Sequence, residues 1–199
     1  MSAGKPGREV EIKLRMRDAA EGARLLAEAG FRVRRRRLLE SNVLYDTSDG
    51  SLRRVGKLLR VRRVGGETIL TYKGPGEPGK HKVREEIELG ISSAEPCDAI
   101  MKRLGFAPSF RYEKYRTEFD PPGGGGIAML DETPIGTFLE LEGDPDWIDR
   151  TAALLGFPES AYITASYARL HLERLSERGE PLTHMLFDKT GGSIIRRSS

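Results

Sequence analysis

The residues best suited to chemistry in this chain are three glutamate pairs, each split by one apolar residue: Glu9-Val10-Glu11, Glu86-Ile87-Glu88 and Glu140-Leu141-Glu142. On a β-strand residues two apart share a face, so each pair would present both carboxylates on one side and its apolar residue on the other. Basic residues keep the same spacing. Lys13, Arg15 and Arg17 continue the first segment, and Arg60, Arg62, Lys73, Lys82, Arg84, Lys114 and Arg116 alternate with apolar or small residues in later ones. A face carrying both kinds of charge suits a polyanion that arrives with a divalent cation. Carboxylates hold Mg²⁺ or Mn²⁺, while guanidinium forks and ammonium groups hold phosphate oxygens. His81, His171, His184 and the lone Cys97 show no metal-ligand spacing, so zinc is not expected. Chemistry at phosphorus in such a site rests on positioning and charge neutralisation more than on a nucleophilic side chain.

One Glu-x-Glu by itself reads best as a solvated charged face. Three of them, together with five basic segments of the same period, favour an enclosed polar space, because buried ions without a ligand to share are costly. Roughly eight segments have one charged and one apolar face. If they close with the charges inward, the apolar faces point outward and need helices to cover them. The expected fold is therefore α+β: a closed eight-stranded antiparallel β-barrel, a tunnel, with covering α-helices.

The chain supplies those helices. Each glutamate pair is followed by a helix-like stretch that stops at Gly-Phe: Asp18 to Ala29 before Gly30-Phe31, Ser92 to Leu104 before Gly105-Phe106, and Asp144 to Leu155 before Gly156-Phe157. Asp18, Ser92 and Asp144 are suitable N-caps and the glycines suitable stops. The unit reads as an imperfect internal repeat, two similar halves of which would assemble into one barrel. Tyr167, Leu170, Leu172 and Leu175 outline a last amphipathic helix from Ser166 to about Arg178. Gly123 to Gly126 reads as a hairpin connection, since no Lys-Ser/Thr follows to make a P-loop. Arg34 to Arg37 reads as a solvated strand end and His81 as a solvated loop histidine. The expected organisation is a flexible N-terminus over 1–7, one tunnel domain over 8–178, and a C-terminal extension over 179–199, partly disordered, with Gly191 to Ser199 its disordered end.

Composition narrows the class. Lys plus Arg exceeds Asp plus Glu by only 33 − 30 = 3 in 199 residues, which argues against nucleic acid as partner. One cysteine excludes an internal disulfide and suits a reducing compartment, and no apolar run is long enough for a membrane span or a signal peptide. A cytoplasmic protein, monomeric or homodimeric, is expected.

The combination resembles a known family. Glu9-Val10-Glu11-Ile12-Lys13 is similar to the E-x-E-x-K signature of the CYTH superfamily, the triphosphate tunnel metalloenzymes, which includes class IV adenylate cyclases and thiamine triphosphatases. The likeness continues through Leu44-Tyr45-Asp46-Thr47, Leu59 to Arg62, Lys73, Arg84 to Glu88, Lys114 to Arg116, Leu130-Asp131, Gly136 to Glu142 and Ser166-Tyr167, about residues 8 to 175. The resemblance, nearest the class IV cyclase-like branch, implies a triphosphate in the tunnel with Mg²⁺ or Mn²⁺. It implies metal ligands at Glu9, Glu11, Glu140 and Glu142, and phosphate-binding groups at Lys13, Arg60, Arg62, Lys73, Arg84, Lys114 and Arg116. It further implies a second acidic wall at Glu86 and Glu88, and catalytic roles for Lys13, Asp131 and Arg116. Conversion of ATP to cyclic AMP and pyrophosphate leads. Hydrolysis of tripolyphosphate, thiamine triphosphate or a nucleoside triphosphate, and a non-catalytic polyanion-binding barrel, stay open.

Overall fold

Strict alternation along the chain produces eight strands, and they close. A computed structural model describes residues 7–188; the expectations for residues 1–6 and for Gly191 to Ser199 lie outside the described residues. The strands are β1 (Gly7–Met16), β2 (Arg32–Asp46), β3 (Leu58–Val64), β4 (Glu67–Lys73), β5 (Lys82–Ile91), β6 (Ala107–Asp120), β7 (Gly126–Thr133) and β8 (Gly136–Gly143). They form a closed antiparallel barrel in the order β1-β5-β4-β3-β2-β6-β7-β8, the expected architecture. The order has a consequence for charge: β8, β1 and β5 are neighbours, so all three Glu-x-Glu segments stand side by side in one wall.

The apolar faces point out and are covered. Helices α1 (Ala19–Glu28) and α4 (Pro145–Leu154) close over Ile12, Leu14, Leu130, Leu139 and Leu141, all at most 4% exposed. Helix α3 (Ala94–Arg103) packs Cys97 and Met101 against Tyr45 and Val61 of β2 and β3. The caps explain where these helices start. Asp18 accepts from Glu21 N and Asp144 from Asp146 N and Trp147 N, as their side-chain oxygens can only in non-helical backbone. In α3 the cap is Ser93, whose hydroxyl accepts from Glu95 N, so the expected cap at Ser92 is off by one in a Ser-Ser pair. Gly30, Gly105 and Gly156 stop the three helices at φ of 81°, 86° and 86°, where a Cβ would be strained.

A four-residue helix, α2 (Ser51–Arg54), follows the end of β2, and Asp46 caps it by accepting from Leu52 N and Arg53 N. The last helix, α5 (Tyr167–Glu177), is capped by Ser166. The segment after it has no periodicity, yet it runs beside β6: Met185 N donates to Arg111 O (3.0 Å), Glu113 N donates to Met185 O (2.9 Å), and Met185 is fully buried. At the opposite rim Arg34, Arg35 and Arg37 pair with Glu118, Asp120, Glu67 and Glu132, so this basic run is matched by acids. His81 departs from expectation. It is 7% exposed because its ring stacks on Tyr162 and its Nε2 lies 2.8 Å from Asp149, fastening the loop before β5 to α4. Among the described residues no helix is long and apolar enough to cross a membrane.

Candidate active site

Period-two alternation on β1, β5 and β8 turns every glutamate of the three pairs toward the barrel axis, and register decides which of them meet. Glu11 lies opposite Glu142 and Lys13 opposite Glu140 across β1–β8, while Glu9 faces Arg84 and Glu11 faces Lys82 across β1–β5. The interior is a cavity of about 250 Å³. All the acids named above line it, as do Lys13, Arg60, Arg62, Lys73, Arg84, Lys114 and Arg116, so each residue assigned to phosphate binding opens on one space.

The four glutamates implied as metal ligands split into three and one. Glu9, Glu11 and Glu142 each offer a carboxylate oxygen within 4.8 Å of the others. Glu140 sits apart from them: Lys13 reaches it at 3.2 Å and Arg116 forms a short bond to it. Electrostatics separate the groups further. Burial works against charge on Glu140, but Lys13, Lys114 and Arg116 outweigh it and hold the carboxyl well below its ordinary range. Burial likewise opposes the charge on Glu11, and Lys13, Lys82, Lys73 and Arg84 more than compensate. Glu142 has no ion-pair partner among the described residues, and the pull of Lys73 on it is the smaller effect. Burial, then Glu9 and Glu11, push it up to about 7. Three hard-oxygen donors whose mutual repulsion raises one of them fit a divalent cation such as Mg²⁺ or Mn²⁺, which would relieve that repulsion.

The basic rows are held by acids on both sides. Lys73 bridges Glu9 (2.6 Å) and Glu86 (3.0 Å), Arg84 Nε donates to Glu9 (2.9 Å), and Arg60 and Arg62 meet Glu88 at 3.3 and 3.2 Å. Glu86 and Glu88 thus extend the acidic wall of β8 and β1 onto β5, where they meet the arginines of β3, and do not form a separate second wall. Lys13 keeps its proton: burial disfavours the charge, but Glu11 and Glu140 raise its pKa above the ordinary value. It is a cation toward a ligand and not a base. Asp131, on the inward face of β7 opposite Arg116, is fully buried and is not among the residues that line the cavity. Its carboxylate accepts from Arg116 (2.7 and 2.6 Å), Lys114 (2.8 Å) and the Tyr167 hydroxyl (2.8 Å), so it orients Arg116 and Lys114 from behind.

Lys82, read only as one of the alternating basic residues, lines the cavity beside Glu11, and three buried residues, Tyr112, Glu40 and Asn42, escaped the reading of the sequence. Lys82 donates to Glu11 at 2.6 Å, and burial together with Lys13 and Arg84 lowers it to about 8. Tyr112 hydroxyl accepts from Arg60. Glu40 lies opposite Lys114, and although burial resists its charge, Lys114, Arg116 and Arg62 bring it down to about 2. Asn42, 1% exposed and opposite Arg62 and Tyr112, has no hydrogen-bond partner for its side chain among the described residues. The basic strand residues of β2 were the available signal, but the register shift between Arg35 and Leu38 breaks the alternation that would have exposed Glu40 and Asn42.

Comparison with known proteins agrees with this geometry. A family model described as the CYTH domain matches residues 7–154. A Methanocaldococcus jannaschii protein provisionally named an adenylate cyclase is 33% identical over 142 residues, covering 67% of this chain and 75% of its own. Among solved structures, one provisionally named an adenylate cyclase from Vibrio parahaemolyticus superposes with a TM-score of 0.73 at 20% identity, covering 84% of this chain and 99% of its own. A Hippeastrum protein, provisionally an adenylyl cyclase and described as having a dominant triphosphatase activity, gives 0.61 at 21% identity, covering 87% and 97%. At those identities the two structures establish the shared fold.

Proposed function

The chain belongs to the CYTH domain family, and from that premise we propose that its tunnel is the active site of a divalent-cation-dependent enzyme acting on a triphosphate, with ATP to cyclic AMP and pyrophosphate as the leading reaction. The observation that carries this reading is the sharing of one cavity by the Glu9, Glu11 and Glu142 cluster and the inward Lys and Arg rows.

A cation held by Glu9, Glu11 and Glu142 would supply neutralisation of the phosphate chain's charge. The chain's own groups do the rest. Arg60, Arg62, Lys73 and Arg84 share their charge between their carboxylate partners and the phosphate oxygens as the ligand enters, and Lys114, held by Asp131, meets the phosphate chain in place. Lys13 and Arg116, tied to Glu140, stay cationic and meet the charge that develops on the transferring phosphoryl group and its leaving oxygen. Asp131 keeps Arg116 and Lys114 in place. In the leading reaction the ribose 3′-hydroxyl oxygen bonds to the α-phosphorus, the bond from that phosphorus to the bridging oxygen breaks, pyrophosphate departs and the hydroxyl proton passes to solvent. The Methanocaldococcus relative supports cyclisation.

A second reading, hydrolysis at the terminal phosphorus, is favoured by the activity described for the Hippeastrum protein on the same fold. It needs nearly the same residues and differs in which phosphorus meets the nucleophile. The test is product identity: ATP, tripolyphosphate and thiamine triphosphate incubated with Mg²⁺ or Mn²⁺. Cyclic AMP with pyrophosphate supports the leading reaction, orthophosphate the second. Binding of all three without turnover would overturn both and leave a polyanion-binding barrel.

A further inference from the structure

Strand β2 stands across the barrel from β1, four strands away in either direction, yet of its residues only Leu44 lines the tunnel. Glu40 and Asn42, two and four positions earlier on the same face, lie behind the cavity wall at 3% and 1% exposure. Register sets Asn42 opposite Arg62 of β3 on one side and opposite Tyr112 of β6 on the other, and it sets Glu40 opposite Lys114. An uncharged amide therefore sits inside a layer of charged groups that the tunnel walls draw on.

The hydrogen bonds of this layer do not close. Among the described residues Asn42 Nδ2 and Oδ1, Glu40 Oε2, Arg60 Nε and Arg62 Nε are buried without a hydrogen-bond partner. A buried amide that bonds to nothing is costly, and a leucine of nearly the same shape would avoid that cost, so packing alone does not account for an asparagine here. The unpartnered atoms are complementary in kind: a guanidinium Nε–H only donates, a carboxylate oxygen only accepts, and an amide does both. Arg62 is engaged at its tip instead. Its Nη2 donates to Glu88 on β5 (3.2 Å) and its Nη1 lies 3.8 Å from Glu40 Oε1, which leaves Nε idle. Arg60 likewise gives its Nη groups to Tyr112 and Glu88, each at 3.3 Å.

We propose that Asn42 is a positioning residue for phosphate binding: when a phosphate chain enters and shares the Nη groups of Arg62 with Glu88, the Asn42 carbonyl accepts from Arg62 Nε and its amide donates to Glu40 Oε2, which fixes the plane of the guanidinium. This role rests on reading the tunnel as a triphosphate site. Asn42 itself does not touch the ligand. A carboxylate in its place would crowd Glu40 and a cation would crowd Arg62, whereas an amide serves both neighbours at once.

The test is a double-mutant cycle read by calorimetric binding of inorganic tripolyphosphate, in Mg²⁺, to the full chain, to Asn42→Leu, to Arg62→Lys, which keeps a cation but lacks Nε, and to the two combined. A second cycle pairs Asn42→Leu with Arg84→Lys on β5, and a thermal melt checks that each variant is folded. Asn42→Leu should bind about tenfold more weakly than the parent chain. In the Arg62→Lys background the same change should weaken binding by less than about twofold, and in the Arg84→Lys background by about tenfold again. Unchanged affinity in Asn42→Leu, or an effect that is the same in both backgrounds, overturns the positioning role and leaves the tunnel reading standing. If Asn42→Leu does not fold, Asn42→Thr, which suits a strand and lacks the amide, enters both cycles with the same expected results. If the parent chain binds no tripolyphosphate, the tunnel reading falls and takes this role with it.

Discussion

Two glutamates on one strand, Glu140 and Glu142, face the same cavity and differ in what they touch. Glu140 is the shared partner of Lys13 and Arg116, so Glu140→Ala leaves two buried cations short of a counter-charge. We expect it to abolish turnover and to destabilise the fold by about 3–5 kcal/mol, read by denaturant titration. Glu142 is crowded by Glu9 and Glu11. Glu142→Gln removes repulsion, so turnover should fall about a hundredfold or more with no loss of melting temperature in the absence of cation. A melting temperature several degrees lower for Glu142→Gln would contradict this division. Glu40 provides a pH test. Its folded value of about 2 lies below its ordinary 4.5, so its ionised form contributes stability that is complete above about pH 4.5 and is lost as the pH falls toward 2. The contribution is at most about 3 kcal/mol. Glu40→Gln should flatten the fall in stability across that window, which acid titration of unfolding free energy would show.

The elements were largely legible because their signals are local. Period two marks the strands, Asp18 and Asp144 mark helix starts, and Gly-Phe marks helix ends. The last helix was expected to start at Ser166, and it begins one residue later, with Ser166 as its cap. What the sequence did not carry is long-range or irregular. Nothing local says that β8, β1 and β5 adjoin, yet that adjacency gathers the glutamates. The docking of His81 on Asp149 and of Met185 on β6 likewise depends on partners 68 or more positions away, without periodicity to betray them. Where two elements come closest, the fit is tight. A Cβ on Gly126, at the start of β7, would stand 2.5 Å from the Glu142 carbonyl oxygen and against the Trp147 ring of α4. Gly126→Ala should therefore lose about 1–3 kcal/mol in thermal or chemical unfolding; a neutral outcome would mean that the β7–β8 contact with α4 yields more than its packing implies.

At the scale of the whole molecule the barrel turns a costly arrangement into a usable one. Charges that would repel or go unpaired on separate strands are enclosed with opposite charges opposite them, and under the proposed function a cation with a phosphate chain would satisfy both sets at once. The candidate site was readable as residue types at fixed spacing, and the family resemblance sharpened it. The split between Glu140 and the other three acids, and the place of Asp131 behind Arg116, follow from closure and register and were not readable. The most direct measurement is turnover of ATP and tripolyphosphate by the wild-type chain and by Glu142→Gln as Mg²⁺ or Mn²⁺ is titrated from zero. The account predicts turnover of at least one substrate only with cation present, and its loss in the variant while the fold persists. Cation-independent turnover, or wild-type rates in Glu142→Gln, would contradict it.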